Sequence, residues 1–148
     1  MVNLKKVLQG HKKIALDTNV FIYVFEGSAL AEHLRDSVFI PLESGELQAV
    51  TSVLTVAEIL VKPKSLSRED ICQEYITLLA SYPNLEVVPF TLDLAVRSAA
   101  VRAKYSIRTP DAIQLATALE HNATLFLTND LRLPRRVENL QLAFLKDL

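Results

Sequence analysis

The sequence lacks most of the features that mark a specialised class of protein. Its 148 residues include three glycines and one cysteine, with no low-complexity stretch and no repeat of solenoid length. Cys72 cannot form an intramolecular disulfide, and no Cys or His spacing suggests a zinc site. Only 7% of the residues are aromatic although 50% are hydrophobic. We therefore expect a mainly aliphatic core in one ordered domain.

Net charge and hydropathy exclude further classes. The formal net charge is −1, whereas a protein that only coats nucleic acid is usually strongly basic, because phosphate neutralisation supplies its affinity. A local basic patch could still bind RNA. No apolar run approaches the roughly 20 residues of a membrane span, and the first residues lack the apolar segment of a signal peptide. We expect a soluble, cytoplasmic protein with no membrane association.

Short apolar runs alternate with helical patterns along the chain. The predicted strands are 14–16, 47–50, 85–88, 124–127 and 140–145, and the predicted helices are 20–25, 29–43, 53–61, 67–81, 92–104 and 109–121. Pro63 is expected to end one helix, and Ser67 resembles the first residue of a capping box for the next. The alternation indicates an α/β fold with a parallel sheet covered by helices on both faces. We predict a single domain over 1–148, with 1–12 as an N-terminal extension.

Two aspartates directly follow predicted strands. Asp17 follows the first strand and Asp130 follows the fourth. Taken singly, each is most simply explained as a helix cap or a turn residue. Ligands of open α/β sheets, however, bind beyond the carboxyl ends of the strands, where both side chains would lie.

Two further acids lie on predicted helices. Asp111 is in a first helical turn, where a negative charge also complements the helix dipole. Glu58 forms a polar stripe with Thr55 and Lys62 on an otherwise apolar helix. The stripe could be a solvated face with a Glu58–Lys62 pair. Alternatively, the helix is buried on most sides and its polar stripe faces a cleft.

The four acids together indicate a metal site. Carboxylates gathered in one pocket repel one another and stay ionised only beside a cation. Oxygen ligands without His or Cys fit Mg²⁺ or Mn²⁺. A metal of this kind can activate water for attack on a phosphodiester and stabilise the leaving oxygen.

Four segments also give a specific resemblance to a known family. Residues 16–19 (LDTN), 51–58 (TSVLTVAE), 110–118 (PDAIQLATA) and 127–130 (LTND) resemble, in order, the four motifs of PIN-domain proteins. The match is closest to the VapC-like toxin ribonucleases and covers about residues 13–146. It implies a PIN-like three-layer α/β/α sandwich with a central parallel sheet of four to five strands.

The resemblance also implies roles for individual residues. The acids that bind Mg²⁺ or Mn²⁺ and cleave RNA in the family match Asp17, Glu58, Asp111 and Asp130. The residues that support them match Thr18, Asn19, Thr128 and Asn129. Family members are often homodimers, and the toxins are held by a small antitoxin protein that covers the active site. Two departures are an extension of about a dozen residues before the first strand and the absence of Phe after Asp130.

Basic and apolar segments near the motifs suggest binding surfaces. Candidate RNA contacts just past Asp130 are Arg132, Arg135 and Arg136. A second basic group lies on or after the helix before Asp111 and could bind RNA or equally be a solvated face; its members are Arg97, Arg102, Lys104 and Arg108. An arginine of an antitoxin could pair with a carboxylate of the quartet, and helices 20–25 and 53–61 could supply an apolar groove.

Other function classes remain open on the sequence alone. A PIN-like chain could be a non-catalytic RNA-binding or adaptor protein, although retention of all four acids argues against it. A phosphatase or phospho-acceptor domain built on Asp17 is disfavoured, because Asn19 stands where haloacid-type phosphatases have a second Asp. A nuclease that cleaves DNA by the same metal chemistry is not distinguished.

Overall fold

The computed structural model describes residues 3–148, so the first two residues of the predicted extension lie outside the described residues. The strands are β1 (Lys13–Leu16), β2 (Gln48–Ser52), β3 (Leu85–Val88), β4 (Leu125–Thr128), β5 (Arg136–Val137) and β6 (Leu140–Phe144). The α-helices are α1 (Leu4–Leu8), α2 (Thr18–Phe25), α3 (Ala31–Leu34), α4 (Ile40–Ser44), α5 (Leu54–Ser65), α6 (Glu69–Ser81), α7 (Leu92–Tyr105) and α8 (Thr109–Glu120). A π-helical turn (Arg35–Phe39) joins α3 to α4, and a 3₁₀ turn (Leu145–Asp147) follows β6. None of the helices in this range is both long and apolar enough to cross a bilayer.

The sheet has the order β3-β2-β1-β4-β6-β5. Its first five strands are parallel, and only the two-residue β5 runs antiparallel, against β6. The predicted α/β class with four to five parallel strands is therefore confirmed. The edge strand β5 was not predicted, because two residues carry no periodicity that a sequence pattern could show.

Alternate residues of the central strands enter two separate cores. Ile14 and Leu16 of β1 pack into a cluster with α1, α2, the segment from α3 to α4, and α6. Ala15 points to the opposite face, where Phe126 of β4 joins residues of α7 and α8. Burial of strand residues on both faces of the sheet is typical of a parallel sheet covered by helices. The sheet thus forms the middle layer of an α/β/α sandwich.

Two predicted helix boundaries were wrong. Helix α5 continues through Pro63 to Ser65, because Pro63 lies in the last turn, on the same buried face as Thr55 and Ile59. The predicted capping box at Ser67 does not form: Ser67 has φ +54°, and the cap position of α6 is Arg68, whose side chain makes no capping bond. Arg68 instead forms a two-bond ion pair with Asp70.

The N-terminal extension contributes a helix that the sequence analysis did not anticipate. Asn3 caps α1 by accepting a hydrogen bond from the backbone N–H of Lys5 at 2.9 Å. Leu4 and Leu8, at the two ends of this single turn and a half, are buried in the same core as β1. The extension is therefore part of the packed structure.

Candidate active site

The carboxyl ends of β1 and β4 bring Asp17 and Asp130 to the same edge of the sheet. Leu16 of β1 is paired with Leu127 of β4, and the N–H of Asp17 donates to the carbonyl of Leu127 at 3.0 Å. Since β1 and β4 are adjacent and parallel, Asp17 and Asp130 emerge at the same carboxyl edge. The predicted position of the site in the fold follows from this pairing.

Asp17 is the most buried of the four acids, with 8% of its surface exposed. One carboxylate oxygen accepts from the N–H of Thr18 at 2.8 Å, which caps α2, and the other accepts from the hydroxyl of Thr128 at 2.7 Å. The pKa of Asp17 is raised to about 6, chiefly by burial and to a lesser extent by the charges of Asp111 and Glu58, while the two hydrogen bonds act in the opposite direction. Asp17 therefore caps α2 and at the same time lies near the charges of two other acids.

A network of buried hydroxyl groups joins Asp17 to Glu58. The hydroxyl of Thr18 donates to Oε1 of Glu58 at 2.7 Å and lies 3.1 Å from the hydroxyl of Thr55. Thr55 in turn lies 2.7 Å from the hydroxyl of Thr51, which donates to the carbonyl of Leu16 at 2.9 Å. These bonds tie β1, α2, β2 and α5 together directly beneath the acids.

Gln114 is the polar centre of this network, and the sequence analysis did not single it out. It is 3% exposed, and its amide nitrogen donates to Thr55 at 2.9 Å and to Thr18 at 3.3 Å. Its carbonyl oxygen accepts from the N–H of Ser52 at 3.4 Å. A buried Gln in the middle of the apolar helix 112–119 was the available sequence signal, because such a side chain must find polar partners inside the protein.

The environment of Glu58 differs from both alternatives that the sequence left open. Helix α5 is not buried on most sides, since Val61 and the cap residue Val53 are 66% and 40% exposed while the polar Thr55 is fully buried. The alternative Glu58–Lys62 pair does not form either, because Lys62 binds Glu26 at 3.1 Å. Glu58 lies at the exposed rim of the site and is oriented by Thr18.

The two remaining acids each face an arginine. Asp130 receives two bonds from the guanidinium of Arg132, at 2.9 and 2.7 Å, and the N–H of Asp130 donates to the hydroxyl of Thr128 at 3.1 Å. Arg132 is the largest cause that lowers the pKa of Asp130 below its usual range. Asp111 accepts a single bond from Arg108 at 3.3 Å.

The four acids therefore come from four elements around one edge, but they are not arranged as a closed ligand set. Over residues 3–148, no group of three His, Cys, Asp or Glu side chains is close enough to hold a metal ion. Two of the carboxylates turn toward Arg108 and Arg132 instead. Asp17 is linked to Glu58 through Thr18 and to Asp130 through Thr128.

The donor chemistry of the site nevertheless fits a hard divalent cation. All four acids offer oxygen ligands, the kind that Mg²⁺ and Mn²⁺ prefer. The side-chain oxygen of Asn19, in the first turn of α2, is buried without a hydrogen-bond partner in the described part of the chain. Besides burial, repulsion from the charges of Asp111 and Glu58 raises the pKa of Asp17. A cation would remove that repulsion.

The predicted supporting residues divide into two groups. Thr18 and Thr128 contact the acids directly. Asn129 instead connects loops, since its amide nitrogen donates to the hydroxyl of Tyr23 at 2.9 Å and its oxygen accepts from the N–H of Lys146 at 3.0 Å. Asn129 can therefore influence the position of Asp130 only through the backbone of the loop that carries both residues.

The three arginines predicted to hold RNA do not share one environment. Arg132 binds Asp130, while Arg135 binds Asp147 at 2.9 Å and lies 4.9 Å above the ring of Phe144. Arg136 is exposed on β5. From the second basic group, Arg108 reaches the acids, whereas the others make the contacts Arg97–Glu138, Arg102–Thr109 and Lys104–Tyr105.

Comparisons with known proteins agree with this fold. The family model of the PIN domain matches residues 14–139. A toxin–antitoxin complex from Klebsiella pneumoniae is 26% identical with a TM-score of 0.60, covering 79% of this chain and 86% of that chain. VapBC2 from Rickettsia felis, bound to a DNA fragment from its promoter, is 17% identical with a TM-score of 0.66, covering 89% and 98%. DNA-bound VapBC from Salmonella typhimurium is 21% identical with a TM-score of 0.66, covering 89% and 97%; these last two show a shared fold alone. No curated protein matches the sequence.

Proposed function

The chain belongs to the PIN-domain family, and from that premise we propose that it is an endoribonuclease dependent on Mg²⁺ or Mn²⁺. It hydrolyses RNA phosphodiester bonds as the toxin of a toxin–antitoxin pair, and its RNA substrate implies work in the cytoplasm. The proposed catalytic and metal-binding residues are Asp17, Glu58, Asp111 and Asp130.

One observation carries the proposal. Asp17 is buried at the carboxyl end of a central strand while the charges of two other acids act on it. A purely structural helix cap would not need Asp111 and Glu58 nearby, because their repulsion weakens its charged form. A buried acid with a raised pKa, near two other acids at the ligand-binding edge of an α/β sheet, favours a catalytic site over an adaptor surface.

The residues of the chain divide the work as follows. When bound, a divalent cation supplies an activated water for attack on phosphorus and stabilises the leaving oxygen. The hydroxyl of Thr128 holds Asp17 in one orientation, and the hydroxyl of Thr18 does the same for Glu58. Gln114 fixes Thr18 and Thr55 from below. Such prior orientation matters because misplaced ligands lose much of the rate.

Metal dependence and the role of the acids can be tested together. We expect the purified protein to cleave RNA with Mn²⁺ or Mg²⁺ and to lose cleavage in excess EDTA. Asp111→Asn should reduce the cleavage rate by about 100-fold or more, since it removes a charge from the site. Asp93→Asn is the matched control, because Asp93 also lies in the first turn of a helix, is exposed, and does not line the pocket that Asp111 lines.

Each alternative function has its own outcome in that assay. Cleavage at the wild-type rate by folded Asp111→Asn would remove Asp111 from the mechanism. No cleavage of RNA with any divalent metal, combined with RNA binding, would indicate a non-catalytic binding or adaptor protein. Faster cleavage of single-stranded DNA than of RNA would assign the same chemistry to a DNA nuclease.

The proposed partner is a small antitoxin. The solved structures with this fold include toxin–antitoxin complexes, and the chain exposes Val61 on α5 and Val53 just before it. A small apolar pocket of about 180 Å³ also lies between α2, the π-helical turn and α6. Co-purification with the product of the adjacent gene, and inhibition of cleavage by it, is the expected result. Binding that leaves cleavage untouched would exclude this form of control.

We also propose a homodimer, the state that many family members adopt. Light scattering of the purified chain should then give about twice the monomer mass of 16.5 kDa. A monomer at all accessible concentrations would contradict this part of the proposal.

A further inference from the structure

Two arginine–carboxylate pairs lie side by side at the rim of the acidic site. Arg132 forms two bonds with Asp130, and Arg108 forms one bond with Asp111. The pairs also interact with each other, since the charge of Asp111 acts on Arg132 and the charge of Arg108 acts on Asp130. Arg108, Asp111 and Arg132 line a shared pocket of about 210 Å³ together with Ser106, Ile107 and Leu133.

The two partners of each pair differ in exposure. The side chains of Arg132 and Arg108 are 66% and 63% exposed, whereas those of Asp130 and Asp111 are each 15% exposed. Exposed ion pairs are weak because water screens them and ordering two side chains costs entropy. The guanidinium groups can therefore swing into solvent while the carboxylates stay in place.

The guanidinium fork of Arg132 (two parallel N–H donors) occupies both carboxylate oxygens of Asp130, which a metal ion at this residue would need. Arg132 donates to Oδ1 and to Oδ2 of Asp130. A divalent cation at Asp130 and an arginine fork on the same two oxygens would place positive charges in contact. The cation and the guanidinium therefore cannot both stay on Asp130, and the exposed guanidinium is the group that can move away.

An arginine released at this position would face the substrate. A planar guanidinium matches the oxygens of a phosphate as well as those of a carboxylate. An RNA strand whose cleaved bond lies at the acids must pass its neighbouring phosphate close to the rim, where Arg108 and Arg132 line the pocket.

We propose that Arg132, assisted by Arg108, is an exchangeable counter-ion that moves from the site carboxylates to a phosphate of the RNA strand when a divalent cation takes the acids. This inference rests on the proposed function, and it assigns Arg132 two opposing effects. In the free protein Arg132 competes with the metal; in the substrate complex it holds the strand. A merely structural arginine would have neither effect.

The chain offers a closely matched control. Arg68 and Asp70 form the same two-bond pair, two residues apart, at 3.0 and 2.8 Å, with the arginine side chain 53% exposed. This pair lies at the start of α6 and does not line the acidic pocket. Arg68→Ala therefore removes the same charge and the same fork from elsewhere on the surface.

The metal arm of the test uses calorimetric titration with Mn²⁺ alone, without RNA. Arg132→Ala should bind Mn²⁺ about two- to fivefold more tightly than the wild type, which corresponds to the strength of an exposed ion pair. Arg68→Ala should match the wild type. This arm does not require the protein to cleave anything, so it stands apart from the test of the ribonuclease proposal.

The substrate arm measures binding of a ten-nucleotide RNA in Ca²⁺, which occupies oxygen ligands but misplaces the reacting groups; a gel confirms that the RNA is intact. Arg132→Ala should bind roughly tenfold more weakly, and the slope of log affinity against log salt should fall by about 0.7, the value for one lost contact to a single strand. Arg132→Lys should retain the salt slope and part of the affinity, because it keeps the charge without the fork.

Opposite changes in the two arms support the exchange. Unchanged Mn²⁺ affinity would overturn it, because the arginine would then not compete for Asp130. Tighter Mn²⁺ binding with unchanged RNA binding would overturn it as well, because the released arginine would hold no phosphate. If both binding experiments give the expected changes but the protein does not cleave RNA, the ribonuclease proposal is rejected while the proposed exchange of Arg132 is still supported.

Discussion

Replacing Asp17 by Asn should stabilise the metal-free protein, and the size of the effect should depend on pH. The pKa of this carboxyl is about 6 in the folded chain against 3.8 for an unperturbed group. A raised pKa means that folding disfavours the charged form. The difference of about two pKa units corresponds to about 3 kcal/mol.

The sign and the pH window follow from the two pKa values. Below about pH 3.8 the carboxyl is protonated in both states and costs nothing. As the pH rises from 3.8 to 6, the unfolded chain ionises first, and the cost to the folded state grows. It reaches about 1.5 kcal/mol near pH 5 and about 3 kcal/mol near pH 7. Asn carries no charge at any of these values, so it avoids the whole cost.

The substitution keeps most of the local contacts. The side-chain oxygen of Asn can still accept from the N–H of Thr18, and its amide nitrogen can donate to the hydroxyl of Thr128, which need only rotate. We therefore expect unfolding in EDTA to show Asp17→Asn more stable by up to about 3 kcal/mol at neutral pH, or roughly 6–12 °C in Tm. The advantage should fall by about half near pH 5.

Asp70→Asn is the control with the opposite sign. Its hydrogen bonds to Arg68 lower the pKa of Asp70 to about 2, so its charged form is favoured by folding. That substitution should lower stability slightly at neutral pH, with the loss vanishing as the pH falls through the acid range. An Asp17→Asn variant that is no more stable than the wild type, or whose advantage is independent of pH, would refute the electrostatic account of Asp17.

Three further outcomes test the support of the site and the fold. Gln114→Leu should lower the free energy of unfolding by about 1–3 kcal/mol, because buried hydroxyl groups lose their partner; urea unfolding with no loss would contradict its central role. Leu4→Ala should cost about 2–5 kcal/mol, whereas Leu92→Ala, at a site 81% exposed, should stay within about 0.5 kcal/mol; equal effects would mean that α1 is not packed. Thr128→Val removes a hydrogen bond to the charged form, so a carboxyl NMR titration should place the pKa of Asp17 above about 6. An unchanged value would show that this bond does not favour ionisation.

The sequence by itself was sufficient for the layered architecture. Periodicity is a property of near neighbours, and the alternation of short apolar runs with helical patterns predicted five parallel strands with helices on both faces. The positions of Asp17 and Asp130 at strand ends followed from the same pattern, because parallel strands place their carboxyl ends at one edge. Helix ends were less predictable, as at Pro63, where burial of the ring outweighed the loss of one hydrogen bond.

Only the tertiary structure decided how the site is held. The bonds from Gln114 to Thr18 and from Thr128 to Asp17 join residues 96 and 111 positions apart, and no local pattern specifies which hydroxyl will meet which acid. The same applies to the exposure of Glu58 and to the different partners of Arg132 and Arg135. Local periodicity determines which face of an element is apolar, whereas the partners of a polar side chain depend on how separate elements pack against each other.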